Sequence, residues 1–123
     1  MTQNKGIMAE LSEHLSESLA AYQFACKALE HDASAMAQTM ARFRSGENPP
    51  EEAKRFCEKC KNQLNGTREL WVDALVVFLE TVKSERLDLE TVMNAGGVSE
   101  IARYDRIYKQ AVTTLSGFSR EYL

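Results

Sequence analysis

Apolar residues recur at helical spacing along most of the chain. Met8, Leu11, Leu15 and Leu19 open a stripe that continues through Tyr22, Cys26, Leu29, Ala33, Met36, Met40 and Phe43. From Leu19 onward the steps alternate between three and four, the pattern of a helix seam packed on a partner. This spacing predicts a long helix over 3–45, or a helix pair if the rod breaks near His31–Ser34. At 1.5 Å per residue, about 40 residues make a rod of roughly 60 Å. A compact domain of this size has a radius of gyration of only about 14 Å. The rod must therefore break, or project and pack against another chain.

The segment "SGENPP" ends this helix, with Gly46 suited to a left-handed C-terminal position and Pro49–Pro50 forbidding continuation. Pro50, Glu51 and Glu52 then read as the first turn of a second helix over 50–65, acids sitting near the positive end of its dipole. Asn65–Gly66 closes it, although the apolar spacing carries on across the pair. A third helix follows over 67–84, with Ala74–Leu79 apolar on every side and therefore expected at the centre of the molecule. "DLETVMNAGG" predicts a short helix over 88–95, capped by Asp88 and stopped by Asn94–Gly97. Ser99 caps a last helix over 99–116 with the stripe Ile101, Tyr104, Tyr108, Ala111 and Leu115, ended by Gly117. No stretch alternates with period two, so no strand is expected. The fold class is all-α: one domain over 1–123, a bundle of four to five helices with a long N-terminal helix or helix pair. Trp71, Phe78 and Phe43 belong to its core. Phe118 and Tyr122 either hang free as a partner anchor or, the reading preferred here, fold back onto the bundle.

Composition narrows this picture a little. The chain has 123 residues, 44% apolar and 27% charged, which is enough apolar material for a core and argues against disorder. The formal net charge is −3, too small for a phosphate-binding surface. Within it, residues 41–68 form the single basic stretch, seven cations against four acids. Met1–Leu19 carries glutamates where a secretory signal would be apolar. The longest apolar run, "WVDALVVFL", is broken by Asp73 and falls short of the roughly 20 residues a bilayer requires. Three cysteines without an export signal point to free thiols in a reducing cytoplasm.

The basic stretch contains "CEKC", Cys57 and Cys60. Two thiols three residues apart hold zinc, cycle as a dithiol, or fill a helix face. On the second helix, Ala53, Cys57, Cys60 and Leu64 step by four, three and four, so core thiols account for both identity and spacing. Zinc needs two further ligands, and Cys26 and His31 stand about 140° apart on a helix. A redox pair lacks the strand-then-helix context. Cys57 and Cys60 stay as weak metal candidates, and no cofactor is expected.

Other catalytic patterns are missing. Leu11 and Ala28 stand three residues before His14 and His31, where a di-iron bundle places glutamates. Glu30, His31 and Asp32 point in different directions on a helix. Glu10, Glu13 and Glu17 read as a solvated face. "NAGG" lacks the lysine and preceding strand of a phosphate loop. "GGVSEIARY" is similar to the first helix of many helix-turn-helix DNA-binding modules. That resemblance implies nucleic-acid binding through the basic residues Arg103, Arg106 and Lys109, with Lys54, Arg55, Lys59 and Lys61 as a second basic group. The turn and recognition helix are absent, because Asp105–Leu115 continues the same stripe.

The preferred expectation is a small non-catalytic cytoplasmic protein-binding module: an adaptor, chaperone, inhibitor or regulator that acts as a homodimer on another protein, away from membranes. Its interface would be the over-long seam, at Tyr22, Leu29, Met36, Met40 and Phe43, where methionines suit an adaptable apolar contact. The alternative is a DNA-binding regulator using the basic helix faces; a thiol metal or redox protein comes third.

Overall fold

The computed structural model describes residues 12–123. Met8, Glu10 and Leu11 thus lie outside the described residues. Among the described residues four α-helices follow one another: α1 (Glu13–Arg44), α2 (Ala53–Ser84), α3 (Leu89–Ala95) and α4 (Ile101–Tyr122), with a 3-10 turn at Pro50–Glu52 leading into α2. The described residues contain no strand, and the architecture is a helical bundle with a long N-terminal helix.

Helix α1 begins at Ser12, whose hydroxyl accepts from the Leu15 N–H at 3.0 Å. It runs for 32 residues without a break, about 48 Å. The sequence "HDAS" does not interrupt it, because Asp32 is tied across to α2 by Gln63 and Thr67 and Met36 is buried one turn on. The helix neither folds on itself nor requires a second chain to cover its seam. It is matched by α2, also 32 residues long, in an antiparallel hairpin. The turn between them works as the sequence implies: Gly46 adopts φ +85° and Pro50 opens the 3-10 turn.

The second helix corrects the expected division at Asn65–Gly66: 50–65 and 67–84 are one helix. A glycine inside a helix costs about 1 kcal/mol relative to alanine. Tertiary contacts on both sides offset this. Leu64 and Trp71 are buried, Thr67 bonds Asp32, and Tyr108 Oη donates to Asn65 Oδ1 at 3.2 Å. A second correction concerns Ala74–Leu79. Phe78 is fully buried, but Val76 and Val77 are each 47% exposed, because α2 is covered on one side only.

Asp88 caps α3, accepting from the Thr91 N–H at 3.0 Å, and Gly97 at φ +67° turns the chain away. Helix α4 starts after Glu100 rather than Ser99 and has no side-chain cap. The Ser99 backbone N–H instead donates to Tyr104 Oη at 3.2 Å. Gly117 does not end α4, which runs on to Tyr122, because Phe118 is buried and stacks on Tyr122 beside Phe43. The C-terminal aromatics therefore fold back onto the bundle.

Two apolar clusters form the core. The first joins Leu15, Leu19, Leu29, Tyr22 and Cys26 of α1 to Trp71 and Phe78 of α2, Val92 and Met93 of α3, and Tyr104 of α4. The second joins Met36, Met40 and Phe43 to Ala53, Cys57, Cys60 and Leu64, and to Ala111, Leu115 and Phe118 of α4. Between them the Arg68 guanidinium lies over the rings of Trp71 and Tyr108, 5.0 and 4.9 Å from their centroids, and donates to Asp105 Oδ1 at 2.8 Å. Lys109 holds the other oxygen, also at 2.8 Å. These hydrogen bonds, from Lys109 first and Arg68 second, keep the Asp105 carboxyl below the usual carboxylate range. The charged knot clamps α4 to α2.

Candidate functional site

The five side chains of the expected interface sit inside the single chain. Tyr22 and Leu29 are completely buried, Met40 is 1% exposed, and Met36 and Phe43 are 5% exposed. Their seam is occupied by α2 and α4 and is not open to a second chain.

Beyond the Arg68 knot, α2 and α4 continue side by side but present short side chains to each other: Cys57 from α2, Ser116 and Ser119 from α4. Longer apolar side chains would fill this space. A groove of about 550 Å³ remains, within the range of ligand-binding clefts. Cys57, Leu64, Tyr108, Val112 and Leu115 form its apolar floor. One end is stopped by the Tyr108–Asn65 hydrogen bond and the other by Leu123, which is 65% exposed. Lys54, Lys61 and Arg120 stand on the rim, opposed by Glu58 alone. The rim thus carries three cations against one carboxylate.

The two thiols of "CEKC" face different ways. Cys57 lines this groove, while Cys60 lines a smaller one of about 240 Å³ on the α1 side of α2, with Asp32, Met36 and Phe56. Both are buried and unpaired. Burial pushes the Cys60 thiol up to about 11 and raises Cys57 as well. A zinc site or a reactive dithiol needs the reverse, a thiol whose anion is favoured. Among the described residues, no three histidine, cysteine or acidic side chains come together in a way that would hold a metal ion.

The seven cations of the nucleic-acid reading are dispersed. Lys54 and Lys61 flank the α2–α4 groove. Arg55 and Lys59 lie on the α1 side of α2, near Phe43 and Phe56. Arg103 bonds Ser99 Oγ at 2.9 Å and borders the α1–α4 cleft. Arg106 is on the outer surface of α4, and Lys109 is tied to Asp105. Helix α4 runs unbroken from Ile101 to Tyr122, with no turn after Lys109 to set off a recognition helix.

Sequence periodicity missed Val112, Ser116, Ser119 and Arg120 as groove residues. Their signal was faint: a valine, two serines and one arginine just off a strong stripe. The comparisons add no relative: no family model, curated protein or solved structure matches the chain. No helix among the described residues is long and apolar enough to cross a membrane.

Proposed function

We propose that this chain is a small non-catalytic protein-binding module that receives an acidic, apolar-faced helix of another protein in the α2–α4 groove. The observation that carries this reading is the groove itself, an apolar floor between two parallel walls with a rim of Lys54, Lys61 and Arg120. A helix laid between two helices offers apolar side chains to such a floor at spacings of three and four. Acidic residues beside that stripe would meet the rim, which favours fast encounter and the right register. Three unpaired thiols suit a reducing compartment, and we place the protein in the cytoplasm. The carboxylates Asp32 and Asp105 are engaged in holding helices together, which is why no acid–base role is assigned to them.

The test is selection of a displayed library of helical peptides on the purified chain. Recovered peptides should carry an apolar stripe flanked by Asp or Glu, and bind at least about tenfold more weakly to Val112→Glu. Val112 is 37% exposed, so that change leaves the core intact. Recovery of basic peptides only, or binding indifferent to Val112→Glu, would sink the reading.

A further inference from the structure

A second surface, on the opposite side of α2, has no part in the groove. Phe24 is 68% exposed, more than any other large apolar side chain described, and Leu70 and Val77 are 46% and 47% exposed. They belong to one face. The Asp32–Thr67 bond marks the seam between α1 and α2. Back along α1 by one and two turns lie Ala28 and Phe24; forward along α2 lie Leu70, Ala74 and Val77. The helices are antiparallel, so both rows run to the same end. Alanines at 20, 21 and 28 surround Phe24 and let a second backbone approach closely.

We propose that this face is where two copies of the chain associate, in a two-fold arrangement centred on Phe24. The charges along α1 argue for a second copy. Glu17 lies seven residues before Phe24 and His31 seven after, both exposed. A partner helix running antiparallel over Phe24 brings Glu17 against His31 of the partner subunit, a donor to a carboxylate, and does so twice by symmetry. Ala20 meets Ala28 of the partner subunit in the same register. The α2 row follows the same centre. Tyr22 touches Trp71 and Phe78 and Asp32 bonds Thr67, which puts Phe24 alongside the stretch between Leu70 and Val77, so that Leu70 meets Val77 of the partner subunit. Along α1, a face with a carboxylate at one end and an imidazole donor at the other, centred on its most exposed apolar residue, is self-complementary.

The size sets the expected strength. About 18 residues of two adjacent helices give a face of roughly 27 by 20 Å, some 550 Å² per partner on a flat estimate, below the roughly 800 Å² of a standard interface. The dimer should therefore be weak, with a Kd on the order of 10–100 μM.

Sedimentation equilibrium over a concentration series spanning that range tests it. The wild-type chain should pass from monomer to dimer. Phe24→Glu, an exposed change that keeps helical circular dichroism intact, should weaken association at least about tenfold. Glu17→Lys should weaken it, and adding His31→Glu should restore it, which a merely sticky patch would not do. Val112→Glu should dimerise like wild type, so this result is independent of the groove. A monomer at every concentration, a dimer that survives Phe24→Glu, or a charge swap without recovery overturns the proposal.

Discussion

The two halves of the core, on the same two long helices, are closed to different degrees. Around Tyr22, four rings pack together: Phe78 stacks on it at 5.2 Å, and Trp71 and Tyr104 lie 6.3 Å away. Three leucines of α1 and the short helix α3 close that half, and most of its members are exposed by 2% or less. The other half has four rings of its own, Phe43, Phe56, Phe118 and Tyr122, gathered near the α1–α2 turn. Beside them it is filled by Met36, Met40, two cysteines and two alanines, with several side chains left 5–8% exposed and clefts on both sides of α2. Large rigid side chains interlock and fix helix positions; small and flexible ones leave space and adapt. On the proposed reading, the more tightly closed half around Tyr22 holds the hairpin, and the half beside the open groove is where a partner helix would lie.

That contrast breaks most directly by truncation. Phe78→Ala removes a fully buried ring from the stacked cluster and should cost about 3–5 kcal/mol, a large part of the 5–15 kcal/mol typical of a domain. Cys60→Ala should cost about 1 kcal/mol, because a small side chain is lost beside an existing cleft. Urea unfolding of the two variants measures both. Equal costs would mean that the halves are equally well packed.

Thiol chemistry sharpens the comparison next. Cys60, with its thiol raised to about 11, should react with a small alkylating reagent at pH 8 about 100-fold more slowly than an ordinary thiol, in proportion to its thiolate. Cys57, lining the open groove, should be modified before Cys26, which is 2% exposed within the ring cluster. Mass mapping over time gives the order, and early labelling of Cys26 would contradict a sealed first half. The same shift links to stability. A neutral thiol favoured by folding contributes fully below the ordinary value of 9.0, and its contribution is lost as the pH rises through about 11. Alkaline unfolding should lessen in Cys60→Ala.

How much of this was legible depended on whether a residue's role was local. The 3-4 spacing from Leu19 to Phe43 identified a buried stripe, and all of Tyr22, Leu29, Met36, Met40 and Phe43 are buried. Spacing does not say which chain covers a stripe. The partner of α1 was α2, concealed because Asn65–Gly66 looked like a stop. That stop was overridden by contacts between residues 32 and 67, and between 65 and 108, distant in sequence and without periodic trace. Caps and turns fared better: Asp88, Gly46 and Pro50 act through their own neighbours. Surface sites fared worst. Phe24 stands two residues off the Tyr22–Cys26 stripe, a visible anomaly, whereas the groove exists only because serines on α4 meet a cysteine on α2.

The smallest effect tests the ring cluster from within. Tyr22 Oη and the Trp71 indole nitrogen are buried without a hydrogen-bond partner among the described residues. Burial raises the Tyr22 hydroxyl above its ordinary value, so it stays neutral. A buried hydroxyl with no partner costs desolvation and returns little. Tyr22→Phe keeps the stacking on Phe78 and removes that cost, so it should leave stability unchanged or raise it by up to about 1 kcal/mol. A loss of more than about 1 kcal/mol in urea unfolding would mean that the hydroxyl has a real partner in the neighbouring Cys26 sulfur or Trp71 N–H, and that polar bonding joins ring packing in holding this half rigid.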